Sequence, residues 1–217
     1  MKAELQGYVV GPIQTNCYIL SDEETRQAIL IDPGPGSDKL IAEPERQGLS
    51  LVAILMTHAH WDHIACAETF HERYRAPRYL LQAETITASD PEINLSGEFE
   101  GMGRSYDWDK LVTDGQKVEI GPFKFTCLAT PGHTPGGVCY YFEKEGFLFA
   151  GDSLFEGSVG RTDFPGGSMS QLVRSLQEKV LCLPDETKVF PGHGGETEVG
   201  YERKYNPYLR LFRGNGG

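Results

Sequence analysis

Apolar, β-branched and aromatic residues recur along the chain in short runs, each closed by a polar turn bearing Gly or Pro. In the amino-terminal half, Gly7–Val10, Cys17–Leu20 and Ala28–Ile31 read as strands, the last ending at Asp32-Pro33-Gly34. A helix is predicted over Ser37–Gln47, with Pro44 as a break, followed by the apolar strand Leu51–Met56. Ile64, Ala67 and Phe70, at near-helical spacing, predict a helix over Ile64–Tyr74. The second half repeats the grammar, with strands at Phe123–Leu128, Val138–Phe142, Phe147–Ala150 and Lys188–Phe190. Helices are predicted at Ser170–Leu181 and Glu198–Arg203, and Gly214–Gly217 reads as a frayed tail. From Ser89 to Lys110 the pattern is lost, although Phe99, Met102, Tyr106 and Trp108 remain. That stretch reads as a surface excursion, with a lid over a pocket as the alternative.

Two strand-rich halves with interspersed helices predict layered sheets covered by helices. The placement of polar residues says more. Asp32, His58, His133, Asp152 and His193 each lie just past the carboxyl end of a predicted apolar strand. If those ends share one edge, five segments distant in sequence meet there, and a rigid sheet carrying reactive groups on its end loops is a common way to build a site.

Composition narrows the options. A chain of 217 residues, 39% hydrophobic and 24% charged, fits an ordinary globular domain. No apolar run approaches the ~20 residues of a membrane span, and the first residues lack the apolar core of a secretory signal. A net charge of −11 argues against nucleic acid and against anionic membranes as partners. Cys17, Cys66, Cys127, Cys139 and Cys182 are odd in number and contain no C-x-x-C pair, so they read as free thiols used as small core residues. A reducing cytoplasm is the expected location.

Histidine carries the chemistry. Three of the six histidines fall in Thr57-His58-Ala59-His60-Trp61-Asp62-His63. With this composition, chance would produce H-x-H-x-D-H about 2 times in 10,000. A loop leaving a strand can aim His58 and His60 at one ion, while Asp62 and His63, at the start of a helix, can serve a second beside it. Imidazole and carboxylate ligands suit zinc, iron or manganese. Two such ions repel and need an anionic bridge, for which Asp152 is the candidate. His133 offers a further nitrogen to the first ion and His193 one to the second. His71 stands alone on a helix and reads as solvent-facing, and Cys66 reads as core.

With these motifs in order, the sequence resembles the metallo-β-lactamase superfamily, in particular its short hydrolases similar to glyoxalase II. The carrying segments are Ala28–Gly34, His58–His63, Thr130–Gly137, Gly151–Phe164 and Pro191–His193. The resemblance implies an α/β, four-layer αββα sandwich in one domain over residues 1–213, with a tail at 214–217. It also implies a dinuclear site: His58, His60 and His133 on the first ion, Asp62, His63 and His193 on the second, and Asp152 between them. Asp32 matches the family's supporting aspartate, which orients the ligand loop, and Arg161 is read as holding the Asp152 loop, with contact to substrate as the alternative. The flavodiiron branch replaces the second histidine with Glu, many true β-lactamases bring a cysteine ligand, and tRNA-processing members carry an RNA-gripping arm. His60, Asp152 and the acidic composition depart from all three. Full-length glyoxalase II adds a carboxy-terminal helical domain for glutathione, whereas 24 residues follow His193 here. Tyr201, Arg203, Lys204, Tyr205 and Tyr208 read as a closing helix, with partial replacement of that domain as the alternative.

The expected reaction is hydrolysis of a small-molecule thioester by a water deprotonated between two divalent ions, most simply zinc, with Asp62 orienting it. A thiolate leaves without help from an acid, which an amine would require. Lactones and other esters stay within this chemistry. The main alternative is a persulfide dioxygenase, because those relatives also carry a stretch like Gly160-Arg161-Thr162-Asp163-Phe164 and hold one iron through two histidines and an aspartate, here His58, His133 and Asp152.

Overall fold

Every residue of Thr15–Asp22 is buried, so this strand lacks the in–out alternation of a half-exposed sheet. The reason is that both of its faces are covered. Tyr18 and Leu20 face the opposing sheet, while Cys17 and Ile19 face helices on the other side. The computed structural model describes residues 1–101 and 103–211, so the predicted tail at 214–217 and Met102 lie outside the described residues.

The first sheet contains β1 (Ala3–Val10), β2 (Thr15–Asp22), β3 (Gln27–Ile31), β4 (Ser50–Leu55), β5 (Arg78–Leu81) and β6 (Lys110–Val112), side by side in that order. β1 to β3 are antiparallel and β3 to β6 parallel. The second sheet is built from β7 (Lys117–Ile120), β8 (Phe123–Ala129), β9 (Val138–Phe142), β10 (Phe147–Gly151), β13 (Lys188–Pro191) and β14 (Thr197–Glu198), in the order β14-β13-β10-β9-β8-β7. β11 (Leu154–Phe155) and β12 (Ser158–Val159) form a separate small hairpin. β10 runs parallel to β13, and both β8 and β10 are antiparallel to β9. The carboxyl ends of β3 and β4 therefore point together, as do those of β8, β10 and β13.

Between the sheets, Leu20, Ile29, Ile31 and Leu55 pack on Phe123, Phe125, Tyr140, Phe142 and Phe149. The outer face of the first sheet is covered by residues of α2 (Trp61–Ile64), α3 (Ala67–Tyr74) and α4 (Thr85–Ser89), which follow the short α1 (Glu43–Arg46). Beyond α5 (Ser96–Glu100), the helices α6 (Met169–Ser175), α7 (Val199–Tyr205) and α8 (Pro207–Leu211) cover the second sheet through Leu172, Val173, Val199 and Leu209. This is the expected αββα sandwich.

Several elements differ from the sequence reading. The single helix predicted over Ser37–Gln47 is a 3-10 turn, Ser37–Leu40, followed by α1, and Pro44 sits in the first turn of α1, where its missing N–H costs nothing. α6 runs on into a wider π-type turn over Leu176–Val180. β5, β6 and β7 were not predicted: they have four, three and four residues, too few to show a period, and two carry an exposed Lys. Cys17, Cys66, Cys127 and Cys139 are buried as expected, but Cys182 is exposed. His71 is half-buried rather than solvent-facing, its Nδ1 lying 3.0 Å from the Ala76 carbonyl and 3.3 Å from Asp109. No helix among the described residues is long and apolar enough to cross a membrane.

Candidate metal centre

The five strand-end positions converge. Asp32 follows β3 with a positive φ of 50°, a conformation that Asp tolerates better than most residues. Its carboxylate accepts the Thr57 N–H at 2.8 Å and the Thr57 hydroxyl at 2.6 Å, which ties the end of β3 to the end of β4. The loop after β4 delivers His58 and His60, and α2 then presents Asp62 and His63 from its first turn. The turn after β8 supplies His133, the end of β10 supplies Asp152, and the end of β13 supplies His193. Gly192 is required here, because a Cβ would lie 2.2 Å from Asp152 Oδ1 and 2.6 Å from His63 Cε1.

Three sets of side chains lie close enough to hold an ion: His58, His60 and His133; Asp62, His63 and His193; and His58, His63 and Asp152. His60 Nδ1 and His133 Nε2 are 3.0 Å apart. Asp62 Oδ2 stands 3.2 Å from both His63 Nε2 and His193 Nε2. Asp152 lies between the groups, with Oδ1 3.3 Å from His63 Nε2 and Oδ2 3.6 Å from both His133 and His193. The sequence-predicted ligands are thus brought together, all of them, in one place.

The far nitrogens of these rings are fixed. His63 Nδ1 lies 3.0 Å from Asp32 Oδ2, and His133 Nδ1 2.7 Å from the Arg161 carbonyl. Anchoring one ring nitrogen leaves the other turned inward with a free lone pair. Burial, with His63 and His133 adding to it, pushes His58 well below its usual range, and burial with His133 brings His60 down to about 3. Both rings are therefore neutral, as metal ligation requires. Burial would lower His63 as well, but Asp62, Asp152 and Asp32 around it raise it well above 6.5, the mark of a field that attracts a cation. His58 Nε2, His60 Nε2, His63 Nε2 and Asp152 Oδ1 are buried without a hydrogen-bond partner among the described residues. Four unpartnered polar atoms at one point are costly unless something binds them. The donor set fits divalent metal.

Other parts of the site were not visible in the sequence. The Thr15 hydroxyl donates to Asp62 Oδ2 at 3.1 Å. Glu84, fully buried, accepts from the backbone at Ala59 and Gly136. A cleft of ≈ 600 Å³ opens over the histidines, walled by Ile13, Leu95, Phe99, Phe155 and Phe164. The stretch read as a surface excursion supplies one side of it through Leu95, Glu98 and Phe99, and Phe99 stacks on Trp61 at 5.0 Å. Arg161 makes two separate sets of contacts. Its carbonyl supports His133, whereas its guanidinium is exposed, pairs with Asp163 at 2.8 Å and lies over Phe164. At the carboxyl end, Arg203 donates to the Leu181 and Leu183 carbonyls and pairs with Asp185, a closing role away from the cleft.

Compared with known families, residues 10–193 match the model described as "Metallo-beta-lactamase superfamily". The chain belongs to the metallo-beta-lactamase superfamily. As a superfamily member it is a metal-dependent hydrolase with His/Asp metal-binding groups. It is 41% identical over 204 residues to "Probable metallo-hydrolase YqgX" of Bacillus subtilis (strain 168), covering 94% of this chain and 96% of the relative. It is 32% identical over 202 residues to "Hydroxyacylglutathione hydrolase GloC" of Haemophilus influenzae, covering 92% and 95%. Among solved structures, BLEG-1 B3 metallo-beta-lactamase superimposes with a TM-score of 0.89 at 40% identity, covering 95% of this chain and 99% of that one. TTHA1623 in a di-iron-bound form gives 0.82 at 36%, covering 94% and 100%, and ETHE1 from Myxococcus xanthus gives 0.80 at 30%, covering 99% and 92%. The neighbour TTHA1623 is thus described with iron, a metal other than the zinc that the sequence makes simplest.

Proposed function

We propose that this protein hydrolyses small acyl thioesters at a dinuclear centre. The observation that carries the reading is Asp152, whose Oδ2 lies 3.6 Å from both His133 of the first group and His193 of the second, while Oδ1 lies 3.3 Å from His63 of the second. In this reading His58, His60 and His133 would hold a first ion, Asp62, His63 and His193 a second, and Asp152 would serve both. Bound divalent cations, zinc or iron, supply a water acidified to near-neutral pKa and an electrophile for the carbonyl. Asp62, held by Thr15, orients that water, and Asp32 and the Arg161 carbonyl keep His63 and His133 aimed inward.

The leaving group selects the substrate. Besides the proposed ligands, the charged residues lining the cleft among the described residues are Glu98 and Arg161. Arg161, paired with Asp163, holds its protons too tightly to give one to an amine, whereas a thiol with pKa ~8.5 departs as its anion without an acid. The walls favour an apolar acyl chain. Glutathione's two carboxylates would meet one paired arginine and an acidic neighbour, so the glutathione moiety should bind weakly. The likeness to GloC supports the thioester class. Turnover should fall in the order acyl thioester, alkyl ester, amide. Equal rates on ester and thioester, or faster amide cleavage, would refute the leaving-group argument.

A second reading, a single-iron persulfide dioxygenase using His58, His133 and Asp152, has the ETHE1 likeness and the Gly160–Phe164 stretch in its favour. It predicts one iron per chain, whereas the hydrolase predicts close to two metal ions.

A further inference from the structure

Glu84 is a buried acid that the hydrolytic reading leaves without a task. It ends the 3-10 turn Gln82–Glu84 after β5 and is 0% exposed. Its Oε1 accepts the Ala59 N–H at 2.9 Å and its Oε2 accepts the Gly136 N–H at 2.7 Å. Ala59 lies between His58 and His60, on the loop after β4 in the first sheet. Gly136 lies three residues after His133, on the turn between β8 and β9 in the second. The approach to Gly136 is so close that a Cβ there would stand 2.2 Å from the Glu84 backbone nitrogen.

We propose that Glu84 is a positioning residue whose carboxylate clamps the His58–His60 loop to the His133 turn and so sets the three-histidine group. The proposal rests on the ligand reading given above. Packing alone does not call for an acid here, because a glutamine would fill the same space without the cost of burying a carboxyl. What a glutamine cannot do is accept at both ends. Its amide nitrogen would face one of the two N–H groups, donor against donor. A carboxylate takes both, and through them joins ligands contributed by different sheets. Asp32 plays a related part for His63, facing its Nδ1, while also accepting from Thr57 at the start of the His58 loop.

The test is zinc affinity, read by competition with a chromophoric chelator, in two backgrounds. His193→Ala disables the second group and reports the first, and His60→Ala does the reverse. Glu84→Gln should weaken zinc binding ~10–100-fold in the His193→Ala background and less than ~3-fold in the His60→Ala background, the scale for residues supporting a ligand. Glu84→Asp, which keeps the charge but shortens the reach by one methylene, should show the same selectivity, and it decides the matter if the glutamine variant does not fold. Glu202 is an equally buried acid outside the site, accepting from Gly157, Thr197 and Asn206. Glu202→Gln should leave both affinities unchanged. Loss of equal size in both backgrounds, no loss in either, or the same loss from Glu202→Gln would overturn the clamp. Failure of the parent variants to bind zinc at all would overturn the ligand reading and the clamp with it.

Discussion

Asp32 and His63, 31 residues apart in sequence, meet at 3.0 Å through the ring nitrogen that faces away from the ligand cluster. The same carboxylate receives the N–H and hydroxyl of Thr57, the residue before His58. One side chain thus fixes the tautomer of one ligand and the backbone approach to another.

Asp32→Asn keeps a residue that tolerates the positive φ and removes the charge facing His63. Zinc affinity of the second group should fall ~10–100-fold with little change in fold, as measured by chelator competition alongside circular dichroism. An unchanged affinity would separate Asp32 from the ligands.

Asp152→Ala should cost the protein metal and activity but not its structure, because the side chain projects from the end of β10 toward other site residues. Thiol release should drop at least ~100-fold, the scale of losing a preorganised electrostatic contact to the transition state. Elemental analysis should show less than two ions per chain, while the melting temperature of metal-free variant and metal-free parent should agree closely. Activity at the parental level would remove Asp152 from the centre.

Phe99→Ala tests the cleft wall. It deletes the ring stacked on Trp61 and opens one side of the apolar channel. kcat/KM for a hexanoyl thioester should fall ~10-fold, mainly through KM, with a smaller change for the acetyl thioester. Equal losses on both chains would mean that Phe99 does not contact the acyl group.

Burial lifts the Glu84 carboxyl to about 7, against the pull of the Ala59 and Gly136 N–H groups and the Thr134 hydroxyl. Between the ordinary value of 4.5 and about 7, the folded metal-free protein then holds a proton that the unfolded chain has lost, and the two-ended clamp is complete only above that window. Its stability should fall as pH rises through that window, by on the order of 3 kcal/mol in total from this group. Denaturant titrations at pH 4.5 and 8 should show that fall in the parent and a smaller one in Glu84→Gln. Identical slopes would place the titration elsewhere.

The proposed ligand set was legible in the sequence because each turn that bears one of its residues follows an apolar strand and carries a residue type with few other uses there. His58, His60, Asp62 and His63 are also close neighbours in the chain, so local spacing alone reveals them. Glu84 and Thr15 were not legible, since nothing in their local sequence differs from an ordinary polar turn. Their partners stand 25, 52 and 47 residues away and meet them only after the sheets pair. Phe99 was visible only as an apolar residue in a stretch without pattern: a five-residue helix flanked by loops shows no amphipathic period, and its place at the cleft depends on Asn94, whose carbonyl accepts the Trp61 N–H at 2.7 Å. β5 to β7 escaped because three or four residues cannot display alternation.

The most direct test of thioester hydrolysis is to follow released thiol and dissolved oxygen together, using fully metallated protein offered in turn a neutral hexanoyl thioester, the matching acyl-glutathione and glutathione persulfide. Thioester hydrolysis predicts thiol release from both thioesters, with the neutral one turned over at lower KM, and no oxygen consumed with any of the three. Oxygen uptake with the persulfide and no thiol release from either thioester would contradict it.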